Sequence, residues 1–199
     1  MPATITVVVE GPSDLAVLKR LLRDAGLSIS HQYVQGGKAA MDANLARYNH
    51  AARFSTWLVL RDLDHDAACA PELRQRLLPA PAAGMRLHIA VRAVEAWLLA
   101  DAERIAEMLS VRRGLVPLEP DRLDDPKGSM LDLARQSRRS EIREAMLPAP
   151  DTTARVGRGY ATILAEFAND RWRPEVAATR SPSLSRLFAF LNRTFKEDD

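Results

Sequence analysis

The sequence contains a single cysteine, Cys69, in 199 residues. An internal disulfide and a thiolate zinc cluster are thereby excluded, and a reducing cytoplasm is the natural setting. The four histidines, His31, His50, His65 and His88, show no metal-ligand spacing. No apolar run approaches the roughly 18–20 residues that cross a bilayer. The first apolar run has no basic flank, and Glu10 and Asp14 follow it at once, unlike a signal peptide. A soluble cytoplasmic protein with no membrane partner is expected. Lysine is scarce too. Lys19, Lys38, Lys127 and Lys196 are the only ones, so most basic residues are arginine, while the net charge is only +2. Such a chain is no generic polycation. Arginine suits bidentate phosphate contacts, but GC-rich coding favours it equally.

What is present is apolar material in two different patterns. Hydrophobic residues make up 47% of the chain, enough for a proper core. Ile5 to Val9 is β-branched and nearly continuous in apolarity, as in a strand covered on both faces. Val17, Leu18, Leu21, Leu22 and Ala25 then repeat at three and four, and Gly26 ends that helix. A weaker strand over 29–35, a helix over 39–52, a strand over 57–61, a short helix over 72–78 and a strand over 87–91 follow. This alternation predicts an α/β fold with a Rossmann-like, mainly parallel sheet and right-handed crossovers. Beyond about Ala100 strand signals stop. Helices are expected over 102–109, 129–137, 141–146 and 159–169, and a last one follows Ser181-Pro182-Ser183. The division is an α/β core over 1–110 and a C-terminal helical extension over 111–199, packed on it.

Carboxylates gather where these strands end. Glu10 closes the first strand before Gly11-Pro12, and Asp14 lies in the helix that opens there. Asp62 and Asp64 close the strand of Trp57-Leu-Val-Leu-Arg-Asp-Leu-Asp64, and Glu95 follows the strand that ends near Val91. Open parallel sheets bind ligands beyond the carboxyl ends of their strands, so these acids should line one rim. Clustered carboxylates need a cation, and magnesium takes oxygen ligands from one or two carboxylates together with phosphate. Singly, each acid is also what a turn or a helix cap uses, and Asp14 suits a helix N-terminus.

Val9-Glu10-Gly11-Pro12-Ser13-Asp14 with the later Asp62-Leu63-Asp64 resembles the TOPRIM domain of topoisomerases, bacterial primases, recombination proteins and certain nucleases. The Glu-x-x-x-Asp spacing of Glu10 and Asp14 is most similar to nucleases of the overcoming-lysogenization-defect class. Arg92-Ala-Val-Glu95-Ala-Trp-Leu-Leu-Ala-Asp101, Asp124-Asp-Pro-Lys127-Gly128 and Ser181-Pro-Ser183 resemble a bacterial TOPRIM-like family often encoded beside an AAA-type ATPase. The resemblance implies Mg2+ or Mn2+ on Glu10, Asp62 and Asp64, with Asp14 at a second metal. Glu95 has no secure TOPRIM counterpart, and its place after a strand makes it a candidate ligand there. No ATPase, zinc-ribbon or helicase segment is present, so topoisomerase or complete primase activity is not expected.

The expected activity is metal-dependent hydrolysis of phosphodiester bonds in nucleic acid, DNA before RNA, in phage defence with an AAA-type ATPase partner. Glu10, Asp62, Asp64, Glu95 and Lys127 are the candidate catalytic residues, and Glu10 is equally a candidate general base. Lys127 would balance charge on the phosphate, or is a solvated loop lysine. Gly36-Gly37-Lys38 is a phosphate approach or an ordinary glycine turn. Arg92 is a phosphate clamp or a counter-ion to Glu95. Arg135, Arg138, Arg139, Arg143, Arg155 and Arg158 form a backbone-binding surface or a solvated helix face. The alternatives are a non-catalytic, metal-binding regulatory subunit of an ATPase complex, and phosphoryl transfer on a small molecule in a closed pocket.

Overall fold

The computed structural model describes residues 4–195. Four strands, β1 (Thr4–Val9), β2 (Ser28–Val34), β3 (Trp57–Asp62) and β4 (Met85–Ala90), alternate with α1 (Pro12–Asp24), α2 (Lys38–Ala51) and α3 (Ala70–Leu77). Seven more helices follow: α4 (Val94–Ala100), α5 (Ala102–Leu109), α6 (Pro126–Arg135), α7 (Ser140–Met146), α8 (Tyr160–Asp170), α9 (Pro174–Ala178) and α10 (Pro182–Phe195). All strand pairs are parallel, in the order β2-β1-β3-β4. The α/β fold with a parallel sheet and a helical C-terminal region is therefore as the alternation predicts.

That order places the topological switch between β1 and β3. The chain leaves β1 toward β2 on one side, then returns past β1 to build β3 and β4 on the other. Crossovers that diverge from one point leave a crevice at the carboxyl ends of the two central strands. Glu10 and Asp62 stand at those two ends.

Both faces of the sheet are covered, which explains the unbroken apolarity of β1 and β3. Ile5, Val7 and Val9 of β1 join Leu58 and Leu60 of β3 beneath the larger helical layer. The same cluster includes Trp97 of α4, Leu131 of α6, Phe167 of α8 and Leu187 of α10, so sheet and C-terminal helices share one core. On the opposite face Val8, Val59, Leu87 and Ile89 pack with Met41 and Leu45 of α2 and Leu73 of α3.

Strand β2 is the weakest sequence signal because it is an edge strand. All of it except Ile29 is exposed, so burial selects little apolarity there. Its Tyr33 still stacks on Trp57, with centroids 5.8 Å apart and planes 6° apart. Helix α9 has only five residues and escapes periodicity altogether. Helix α10 is tied down by a buried polar knot. Ser181 Oγ accepts from Leu184 N (3.3 Å), and Ser183 Oγ accepts from Trp97 Nε1 (2.7 Å). His88 Nε2 meets the Ser183 carbonyl at 3.1 Å. Burial, with Arg86 nearby, lowers the His88 imidazole to about 3, so it stays neutral.

Candidate metal centre

Short-range chemistry fixes each carboxylate at the switch-point crevice. Gly11 caps α1, and its N–H donates to Asp14 Oδ2 at 2.8 Å, so Asp14 acts as a cap while lying buried. Asp62 N donates to Glu10 Oε1 at 3.0 Å, which locks the ends of β1 and β3 together. Asp62 Oδ1 in turn accepts from Val94 N, the first residue of α4, at 3.0 Å. Asp64 adopts a left-handed backbone (φ 45°), and its N–H donates to the Arg92 carbonyl at 2.8 Å. Glu95 is buried in the first turn of α4, where Tyr160 Oη donates to Glu95 Oε1 at 2.9 Å. Lys127 follows Pro126 at the start of α6, and its Nζ lies 3.8 Å from Glu95 Oε1.

The predicted acids thus come from three separate stretches of chain into one neighbourhood. A cavity of about 480 Å³ is lined by Glu10, Asp62, Asp64 and Glu95, with Lys38, Arg92, Lys127 and Arg155 among the cations around it. Asp14 is not a lining residue, yet its charge acts on Asp62. Burial, then the charges of Asp14, Glu95 and Glu10, raises Asp62 well above the usual carboxylate range. Burial, then Glu95, pushes Asp14 up to about 7. Glu10 is raised by burial as well, against the Asp62 N–H and the Arg61 charge. Desolvated like charges at this density are costly unless a proton or a cation joins them.

Several contacts escape sequence reasoning. Arg61, 2% exposed, points from β3 into this region and pairs with Asp42 (3.1 Å), Asp66 (2.6 Å) and Glu10 (3.4 Å). Lys38 Nζ pairs with Asp64 at 2.8 Å and with Asp66 at 2.9 Å. The only sequence cue was a charged residue, Arg61, inside an apolar strand. Arg92 binds the Asp64 carbonyl (2.8 Å), while the cation beside Glu95 is Lys127. In the arginine-rich stretch, Arg155 reaches the cavity, whereas Arg135 and Arg139 pair with Asp132 and Glu141 beside them.

Among the described residues no three His, Cys, Asp or Glu side chains are already grouped to hold a metal ion. The donor chemistry nevertheless suits a hard divalent cation. It is all carboxylate oxygen. Glu10 Oε2, Asp62 Oδ2 and Glu95 Oε2 accept nothing from the described residues, and none is a fully buried unpartnered atom, so each keeps some contact with solvent. Among the described residues, Lys127 is the one cation that forms an ion pair with any of Asp14, Asp62 and Glu95. No protein-family model, curated protein or solved structure matches the chain.

Proposed function

We propose that the switch-point crevice is a Mg2+ or Mn2+ centre of TOPRIM type that hydrolyses phosphodiester bonds in nucleic acid, DNA before RNA. The observation that carries this reading is the packing of Asp14, Asp62 and Glu95 into a desolvated cluster beside an open, cation-rimmed cavity. Such a cluster calls for a proton or a cation, because its self-repulsion opposes folding. Glu10, Asp62 and Asp64 would hold one ion, with Asp14 and Glu95 toward a second. A divalent cation held there supplies Lewis-acid activation of water and of the scissile phosphate.

The chain's own residues do the rest. Lys127 and Arg155 present positive charge to phosphate oxygens at the cavity mouth. Tyr160 holds Glu95 in one orientation. Glu10, raised by burial, is placed to accept a proton at Oε2. The hydrogen bond from Asp62 N keeps that carboxylate aimed across the crevice.

One observation favours a second reading, a metal-holding regulatory subunit that docks an AAA-type ATPase. Arg61 and Lys38 already neutralise Glu10 and Asp64, as they would in a resting or non-catalytic site. The deciding experiment is calorimetric titration with Mg2+ and Mn2+, on the wild type and on a Glu10→Ala/Asp62→Ala variant, followed by incubation with plasmid and single-stranded DNA. Metal binding and cleavage, both lost in a folded variant, are expected. Binding without cleavage transfers the assignment to the regulatory reading. A folded wild type that binds no metal overturns both.

A further inference from the structure

We infer that a second cavity, beside the acidic one, binds a nucleotide unit and is the berth for the nucleotide next to the scissile phosphodiester. The position relative to the scissile bond rests on the function proposed above; the chemistry of the cavity does not. Its volume is about 510 Å³, and Arg92, Arg122 and Arg186 converge on it beside an apolar wall that includes Leu63, Pro71 and Val91. Arginine forks suit phosphate oxygens, and an apolar wall suits the face of a base.

These arginines are poorly committed elsewhere. Asp121 also lines the cavity, but its two oxygens accept from Ser181 Oγ (2.7 Å) and Ser183 N (2.9 Å). Arg122 pairs with Glu119 at 3.1 Å, with both side chains well exposed, a geometry of little energetic weight. Arg186 forms no ion pair among the described residues. Arg92 uses one nitrogen on the Asp64 carbonyl, and the rest of its fork is left for a ligand. Cys69 and Ala70, at the amino end of α3, line the same space, and Cys69 makes no side-chain cap bond.

Arg92 lines both cavities, so a strand crossing from one to the other would stay in contact with it. The geometry therefore gives the strand a direction, from Arg155 past the acids and Arg92 toward Arg122 and Arg186. Within the arginine-rich stretch, Arg135 and Arg139 are instead engaged with acids of their own helices.

The test is an Arg122→Glu/Arg186→Glu variant; both residues are exposed, so the fold should be kept. Affinity for a labelled single-stranded oligonucleotide and for dAMP is measured in EDTA across a salt series, with magnesium titration and bis(p-nitrophenyl) phosphate turnover alongside. Oligonucleotide affinity should fall about tenfold or more, and the salt slope by about 2. Magnesium binding and turnover of the small diester should not change. Unchanged affinity for both the oligonucleotide and dAMP in the folded variant overturns the proposal. Loss for dAMP alone reassigns the cavity to a free nucleotide and removes the strand path. If the wild type binds no magnesium and cleaves nothing, while the variant still loses oligonucleotide affinity, the nucleotide cavity stands and only the catalytic reading falls.

Discussion

The acidic rim has two halves built on opposite plans. On one side Glu10, Asp42, Asp64 and Asp66 surround Arg61 and Lys38, so the cations that balance them are part of the chain. On the other, Asp14, Asp62 and Glu95 are crowded and desolvated, with Lys127 3.8 Å from Glu95 and neutral donors, the Tyr160 hydroxyl and the Gly11 and Val94 N–H groups among them, for relief. The first half is held together by its own charges. The second carries surplus negative charge, and burial with mutual repulsion raises its Asp14 and Asp62 carboxyls. Under the proposed function, folding stability and metal affinity would draw on different carboxylates around the same crevice.

Removing Arg61 should break the contrast most severely. Arg61→Met leaves the carboxylates of Asp42, Asp66 and Glu10 without their buried partner, and urea unfolding should show a loss of about 3–5 kcal/mol. A loss below about 1 kcal/mol would mean that the first half is not held by its internal cation.

The second half should be exposed by pH. Asp14 has a raised value in the folded protein, about 7 against an ordinary 3.8, so its contribution is complete below the ordinary value and is lost as pH rises through about 7. Metal-free protein should therefore lose stability, on the order of a few kcal/mol, between about pH 4 and pH 8. Asp14→Asn should flatten that profile, and added Mg2+ should offset the loss in the wild type. Thermal melts in EDTA and in magnesium check both statements.

Tyr160→Phe tests the hydroxyl that donates to Glu95 in that half. Without its hydrogen bond to Glu95, stability should fall by about 1–2 kcal/mol at neutral pH. The smallest effect on stability belongs to Lys38→Met. Lys38 is 40% exposed, and its loss should shift unfolding by less than about 1 kcal/mol. Magnesium affinity should nevertheless rise several-fold, because Asp64 would lose a competitor. Equal affinity in wild type and variant would show that the halves do not compete.

Much of the scaffold was legible in the chain because the responsible forces are local and periodic. Ile5–Val9 and Trp57–Arg61 read as doubly covered strands, and Leu18 with Leu21 and Leu22 read as one face of a helix. Strand β2 and helix α9 were less visible for the same reason in reverse: an exposed edge and five residues leave little periodic burial to read. In the site, Glu10, Asp14, Asp62, Asp64 and Glu95 stood out because acids interrupt or end apolar runs. Their partners did not. Nothing in the sequence links Tyr160 to Glu95, 65 positions apart, or Lys38 to Asp64 across 26.

The sequence by itself therefore determined which segments are buried and which carboxylates sit at strand ends, since burial and turn chemistry act over a few residues. Only the tertiary structure decided that β1 and β3 are neighbours at the switch point, that Arg61 faces Glu10 rather than solvent, and that Asp14, Asp62 and Glu95 repel one another. Coulomb energy depends on distance and on the surrounding dielectric, and both are set by the packing of segments that lie far apart in the chain.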